Sequence, residues 1–105
     1  MVHYDETGKA ALVTGGERGI GRGIVLRLAR AGYDISFTYY FSRLKAETVQ
    51  REVEKLGRMC FIQEADFRNA AEVDRVVWTA AGQMGRLDLV VNNAAIMPPR
   101  MYQYE

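Results

Sequence analysis

A glycine-rich octapeptide, Thr14-Gly15-Gly16-Glu17-Arg18-Gly19-Ile20-Gly21, follows the apolar run Ala10-Ala11-Leu12-Val13 and precedes a stretch with helical periodicity. The run predicts a short buried strand over 10–13. Ile20, Ile24, Val25, Leu28 and Ala29 recur at the spacing of one helix face, which predicts a helix over 21–31 with those side chains turned inward. Glycines by themselves mark ordinary turns and helix ends. Between a strand and a helix they do more. Such a unit points the unpaired N–H groups of the first helical turn, and the positive end of the helix dipole, at whatever sits above the strand. An anion is favoured there, and a pyrophosphate suits the geometry. In this reading Gly15 takes a positive φ in the tight turn, Gly19 lets backbone approach the ligand, and Gly21 permits close packing of helix on strand.

Strand-like and helix-like stretches alternate through the rest of the chain. Asp34 to Tyr39 has the β-branched and aromatic content of a second strand, with Gly32 stopping the helix before it. Val49, Val53 and Leu56 mark a second helix from about Leu44 to Leu56, ended by Gly57. Met59 to Gln63 is the third predicted strand. Asn69 followed by Glu72 resembles a capping pair, opening a helix with the buried stripe Val73, Val76, Val77, Ala80, Ala81 and Met84. Trp78 beside that stripe is expected to be a partly buried packing residue. Gly85 closes this helix, and Leu87 to Val91 is the fourth strand, leading into Asn92-Asn93-Ala94-Ala95. Four strands interleaved with three helices predict right-handed parallel crossovers in an α/β, doubly wound sheet of order 3-2-1-4. In such sheets a ligand lies outside the carboxyl ends of the strands, where the order reverses. The glycine turn, Asp66 and Asn92 all follow strand carboxyl ends and converge there.

Composition removes several other classes of function. Fourteen Lys plus Arg against 13 Asp plus Glu give a net charge of +1, so nothing draws the chain generally to nucleic acid or to an anionic membrane. Anion recognition must therefore be local. Cys60 is the single cysteine, which rules out an internal disulfide, and its apolar neighbours suggest a strand residue rather than a reactive thiol. No apolar run approaches the ~20 residues that span a bilayer, and the first residues lack signal-peptide character. A cytoplasmic location is the expectation. With 105 residues the chain makes one domain at most. His3 lies in a polar lead-in and is expected to be solvated.

With these residues placed, the chain resembles the N-terminal, cofactor-binding half of a short-chain dehydrogenase/reductase, and it is similar to the family's 3-oxoacyl-carrier-protein reductases and to its sugar or polyol dehydrogenases about equally. The similarity runs from about Lys9 to Pro99. The glycine turn matches the family's Thr-Gly-x-x-x-Gly-x-Gly pattern. Asp66 matches the acid that binds the adenine amino group, with Phe67 beside it. Asn92-Asn93-Ala94-Ala95 matches the Asn-Asn-Ala-Gly motif, which steadies the central sheet and lines the adenosine-ribose region, although Ala95 adds a methyl group where the family has glycine. The resemblance implies a Rossmann-type fold ending after strand 4. It also implies an oxidoreductase that interconverts carbonyl and alcohol by hydride transfer with a nicotinamide dinucleotide. The cofactor-binding positions are then Gly15, Glu17, Arg18, Gly19, Ile20, Gly21, Tyr39, Arg43, Asp66, Phe67, Asn92 and Ala94.

The residues also bear on which dinucleotide is preferred. An NAD site needs a carboxylate about 20 residues past the glycines to accept the ribose 2′-OH, whereas a 2′-phosphate is repelled by an acid and wants a cation. Tyr39 occupies that position, 24 residues after Gly15. Arg18 in the turn and Arg43 just after the second strand could meet a 2′-phosphate, which favours NADP(H) over NAD(H). Family members that prefer NADP similarly carry a basic residue just before the second glycine. Glu17 stands where the family commonly has a small hydroxyl residue, and near a phosphate it must point outward or pair with an arginine.

The family's Tyr-x-x-x-Lys pair, and the serine that steadies the substrate carbonyl, find no counterpart here. Lys9, Lys45 and Lys55 each lack a tyrosine four positions earlier. Without a proton donor for the developing alkoxide, hydride transfer is slow. The chain therefore reads as a cofactor half-site with no assignable catalytic residues. Its fourth strand would be a sheet edge to be covered by further chain or by a second copy, so a homo-oligomer is expected. Two other readings remain open: a non-catalytic nucleotide-binding module or truncated gene product, and a doubly wound methyltransferase using the same turn.

Overall fold

The computed structural model describes residues 7–93. Their elements alternate as β1 (Ala10–Val13), α1 (Gly19–Ala31), β2 (Asp34–Tyr39), α2 (Arg43–Lys55), β3 (Cys60–Glu64), α3 (Ala71–Met84) and β4 (Leu89–Val91). The strands form one parallel sheet in the order β3-β2-β1-β4. That is the predicted topology, with the order reversing between β1 and β4.

The sheet is covered on both faces, and β1 shows why. All four of its residues are buried, as expected of a central parallel strand sandwiched between helix layers. Ala11 and Val13 face α1 and α2, where they join Val25, Leu26, Ile35, Phe37, Val49 and Val53. Leu12 faces the other way and packs with Phe67, Val76 and Ala80 under α3. Each buried valine, leucine, isoleucine or phenylalanine among them contributes about 1.5–3 kcal/mol.

Local signals set the ends of the elements. Ser42 caps α2 by accepting from the Lys45 N–H at 3.1 Å. Asn69 Oδ1 accepts from the Ala71 N–H at 3.1 Å at the start of α3. Glu72 does not reach back to complete a capping box, because its carboxylate is taken by Arg75. Asp88 anchors the start of β4: its Oδ2 accepts from the Ala10 N–H at 2.9 Å and its carboxylate is paired with Arg86. These bonds hold the Asp88 carboxyl down to about 2, the Arg86 contact contributing most.

Five sequence expectations are corrected here. α1 begins at Gly19 rather than Gly21, and Ile20 is 78% exposed. Leu26 takes a core position instead, because the buried face of α1 runs through Gly21, Val25, Leu26 and Ala29 and leaves Ile20 off it. Leu56 is exposed at the C-cap of α2, one step beyond the buried stripe. Trp78 is 77% exposed and not a packing residue, since Val76 and Ala80 face the sheet and leave it on the outer side of α3. β4 is shorter than predicted and starts at Leu89, Leu87 packing instead against the α3 cluster.

Candidate functional site

The glycine turn is tied to both strands that flank β1. Gly15 adopts φ +72°, and its N–H donates to Thr38 Oγ1 at 2.9 Å while its carbonyl accepts from Asn93 Nδ2 at 3.1 Å. The Gly16 N–H donates to the Thr38 carbonyl at 2.9 Å. On the β4 side, Thr14 Oγ1 accepts from the Asn93 N–H at 2.8 Å and lies 3.2 Å from Asn92 Oδ1. The turn is thus held from left and right before any ligand arrives.

Above this turn α1 opens without a side-chain cap. Arg18 at the N-cap is extended, with φ −158° and ψ 167°, and the first helical turn contains no acid. Among the described residues no side chain caps these first N–H groups, and the first turn itself carries no carboxylate against the positive end of the dipole. Gly21 makes this approach possible: a Cβ there would sit 1.8 Å from the Gly15 carbonyl oxygen and 2.7 Å from Asn93 Nδ2. A Cβ at Gly19 would meet nothing within 4 Å, which leaves space at the helix mouth. Ile20 stands exposed at the same mouth.

Beside the mouth lies a cleft of about 300 Å³ lined by Gly15, Glu17, Arg18, Tyr39, Tyr40, Phe41, Ala65, Phe67 and Asn93 among others. Its rim is aromatic and cationic. The Arg18 guanidinium lies 4.1 Å from the Phe41 ring centroid, and Phe41 meets Tyr40 edge to face. Tyr39 is buried with its hydroxyl accepting from Arg43 Nη1 at 2.8 Å, and Arg43 also reaches Glu47. Glu17 departs from the sequence expectation. It points inward and, among the described residues, pairs with no arginine: it is 4% exposed, and its carboxylate accepts the N–H groups of Tyr40, Phe41 and Ser42 at 3.2, 2.9 and 2.8 Å. Three donors converging on one anion explain how the carboxylate is accommodated inside.

Asp66 lies after β3 on the same rim, half-buried. Arg68 binds both its oxygens, at 2.9 and 2.6 Å, and reaches the Tyr40 hydroxyl. This contact pulls the Asp66 carboxyl below its ordinary range. Phe67 turns inward, where it lines the cleft and packs on Leu12. Asn92 is exposed past β4. Ala94 lies outside the described residues.

The family follows from sequence comparison. Residues 9–104 match the short chain dehydrogenase family. The chain belongs to that family. Over 88 residues, 84% of this chain, it is 44% identical to the 3-oxoacyl-[acyl-carrier-protein] reductase of Staphylococcus aureus. It spans about a third of the length of the curated relatives it matches, 34% and 36% of the first two. Among solved structures, a short chain dehydrogenase from Burkholderia cenocepacia in complex with NADP is 42% identical with a TM-score of 0.85, covering 90% of this chain and 38% of that one. A blue fluorescent protein from a metagenomic library in complex with NADPH is 43% identical with a TM-score of 0.84, covering 90% and 39%. Membership of the short-chain dehydrogenase family sets aside the methyltransferase reading.

Within this dehydrogenase fold the structure brings Gly15, Glu17, Arg18, Tyr39 and Phe67 around one cleft, with Ile20 and Gly21 at the helix mouth. Asp66 and Arg43 sit at the edge, each engaged by a neighbour. Sequence reasoning missed Thr38, Tyr40, Phe41 and Arg68. Thr38 had a signal: strand side chains alternate, and a threonine near the carboxyl end of β2 is placed to reach the turn. Arg68 had only the i, i+2 spacing to Asp66.

Proposed function

We propose that this chain is the cofactor-binding half of a nicotinamide-dependent oxidoreductase that prefers NADP(H) to NAD(H), within a larger enzyme that interconverts carbonyl and alcohol groups. One observation carries the reading: a first turn of α1 without side-chain cap or acid, braced by the Gly21–Gly15 approach, beside a cleft whose second strand ends in Tyr39 rather than a carboxylate. The residues fit a dinucleotide. Backbone N–H groups at the mouth would hold its phosphates, and the Phe67 and Tyr40 side of the cleft would take the adenosine. Bound NADP(H) supplies or accepts the hydride. Arg18 and Arg43 would meet a 2′-phosphate, and the NADP and NADPH complexes of two structural neighbours support that choice.

The substrate carbonyl, its proton donor and subunit contacts belong to the larger protein. We place that enzyme in the cytoplasm as a homo-oligomer. Among the described residues no helix is long and apolar enough to cross a membrane. The half-exposed Val90 on edge strand β4 is consistent with cover from further chain or a second copy. A calorimetric titration with NADPH, NADH and S-adenosylmethionine tests the reading. NADPH should bind more tightly than NADH, with S-adenosylmethionine weakest. Tighter binding of S-adenosylmethionine, or no binding of either dinucleotide, overturns it.

A further inference from the structure

We propose that Glu17 is a specificity-determining residue: its carboxylate occupies the anion-receptive backbone of the β2–α2 loop and so limits how strongly the chain prefers a 2′-phosphorylated nucleotide. The inference rests on the nucleotide-binding reading above and deepens it at the adenosine ribose.

Three consecutive amides, those of Tyr40, Phe41 and Ser42, converge on the two Glu17 oxygens. Successive backbone N–H groups arranged in this way form a concavity suited to any anion, phosphate included. Here the protein fills it with its own side chain. Glu17 also lines the cleft alongside Arg18, Tyr39 and Phe41, so an incoming phosphate meets both an occupied donor set and a like charge. The cations on offer are partly committed: Arg18 is stacked on Phe41, and Arg43 is bonded to Tyr39 and Glu47. A phosphate would have to draw these guanidiniums to itself while the loop amides stay engaged. The preference for the 2′-phosphate therefore survives, carried by the arginines, but is narrowed by Glu17.

The test compares adenosine 2′,5′-bisphosphate with 5′-AMP by calorimetry, using the unmutated chain and Glu17→Gln. In the unmutated chain the bisphosphate should be preferred by less than about tenfold. Glu17→Gln keeps a carbonyl acceptor for the loop amides and removes the charge. It should widen the preference by about tenfold or more, the gain in bisphosphate affinity exceeding any change in 5′-AMP affinity. A purely structural role would weaken both ligands together and leave their ratio unchanged, which would overturn the proposal. A preference above about 100-fold in the unmutated chain overturns it without any variant, and that arm decides the matter if Glu17→Gln does not fold. Binding of neither ligand overturns the nucleotide reading beneath it, whereas binding of both with an unchanged ratio overturns this inference alone.

Discussion

Replacing Gly21 by alanine should unfold the braced turn from within, and the same change two residues along should do the reverse. A Cβ at Gly21 would lie 1.8 Å from the Gly15 carbonyl oxygen, roughly 1.5 Å closer than the ~3.3 Å at which carbon normally approaches such an oxygen. The obstacle is backbone, itself held by Thr38 and Asn93, so it cannot swing aside as a side chain would. Overpacking of this kind costs about 1–3 kcal/mol. Losing the Asn93 bond to Gly15 adds about 1 kcal/mol, and the better helix propensity of alanine returns about 1 kcal/mol. The unyielding backbone puts the net near the upper end, about 3 kcal/mol, which lowers Tm by on the order of 10–20 °C in a domain of this size. A Cβ at Gly23, in the same helix, meets nothing within 4 Å, so Gly23→Ala keeps only the propensity gain and stabilises by about 0.5–1 kcal/mol. Urea and thermal unfolding followed by circular dichroism measure both variants. The reasoning fails if Gly21→Ala stays within about 0.5 kcal/mol of the parent, or if the two variants shift stability in the same direction.

Thr38→Val removes the acceptor for the half-buried Gly15 N–H while keeping the shape, and should cost about 1 kcal/mol in urea unfolding and weaken nucleotide binding. The Asp88 carboxyl, held at about 2 by Arg86 and the Ala10 N–H, contributes stability that is fully present above the ordinary carboxylate range and lost as pH falls through that range toward 2. NMR titration should show Asp88 protonating below an ordinary aspartate, and Arg86→Ala should bring it back up. Burial pushes the Cys60 thiol up to about 12, so a disulfide-exchange reagent should leave the folded chain unmodified near neutral pH and label it once urea unfolds it. Trp78, exposed on α3, should show the emission of a solvated indole and be quenched by acrylamide equally in folded and unfolded protein.

Much of the fold could be read from periodicity because a parallel α/β sheet repeats one simple unit. Runs such as Ala10–Val13, set between Gly8 and Gly15, and Asp34–Tyr39, shortly after Gly32, located the strands, and right-handed crossovers left few alternatives for their order. Helix phase was harder. Ile20 fits the helical spacing but lies in the first turn off the buried face that runs through Gly21, Val25, Leu26 and Ala29, and is exposed. Trp78 was misjudged because size suggests burial, whereas the helix phase set by Val76 and Ala80 decides it.

The site divides along the same line. Gly15 and Gly21 were legible because each meets a steric demand that only glycine satisfies, and the structure displays both demands as a positive φ and an impossible Cβ. Glu17 was not legible. Its three donors are backbone groups of residues 40–42, far away in sequence and identical for any side chains, so no pattern announces them. The Arg68 clasp on Asp66 and Tyr40 was hidden for a similar reason, since it depends on how the β2 and β3 ends come together.

Amide-resolved NMR during titration with NADPH tests most directly whether the α1 mouth receives the phosphates of a dinucleotide. The largest shifts should fall on the backbone amides of Arg18, Gly19, Ile20 and Gly21, with smaller ones at Tyr40 and Phe67 across the cleft. Shifts centred on the outer face of α3 or the β4 edge, with the 18–21 amides unmoved at saturation, would contradict the account.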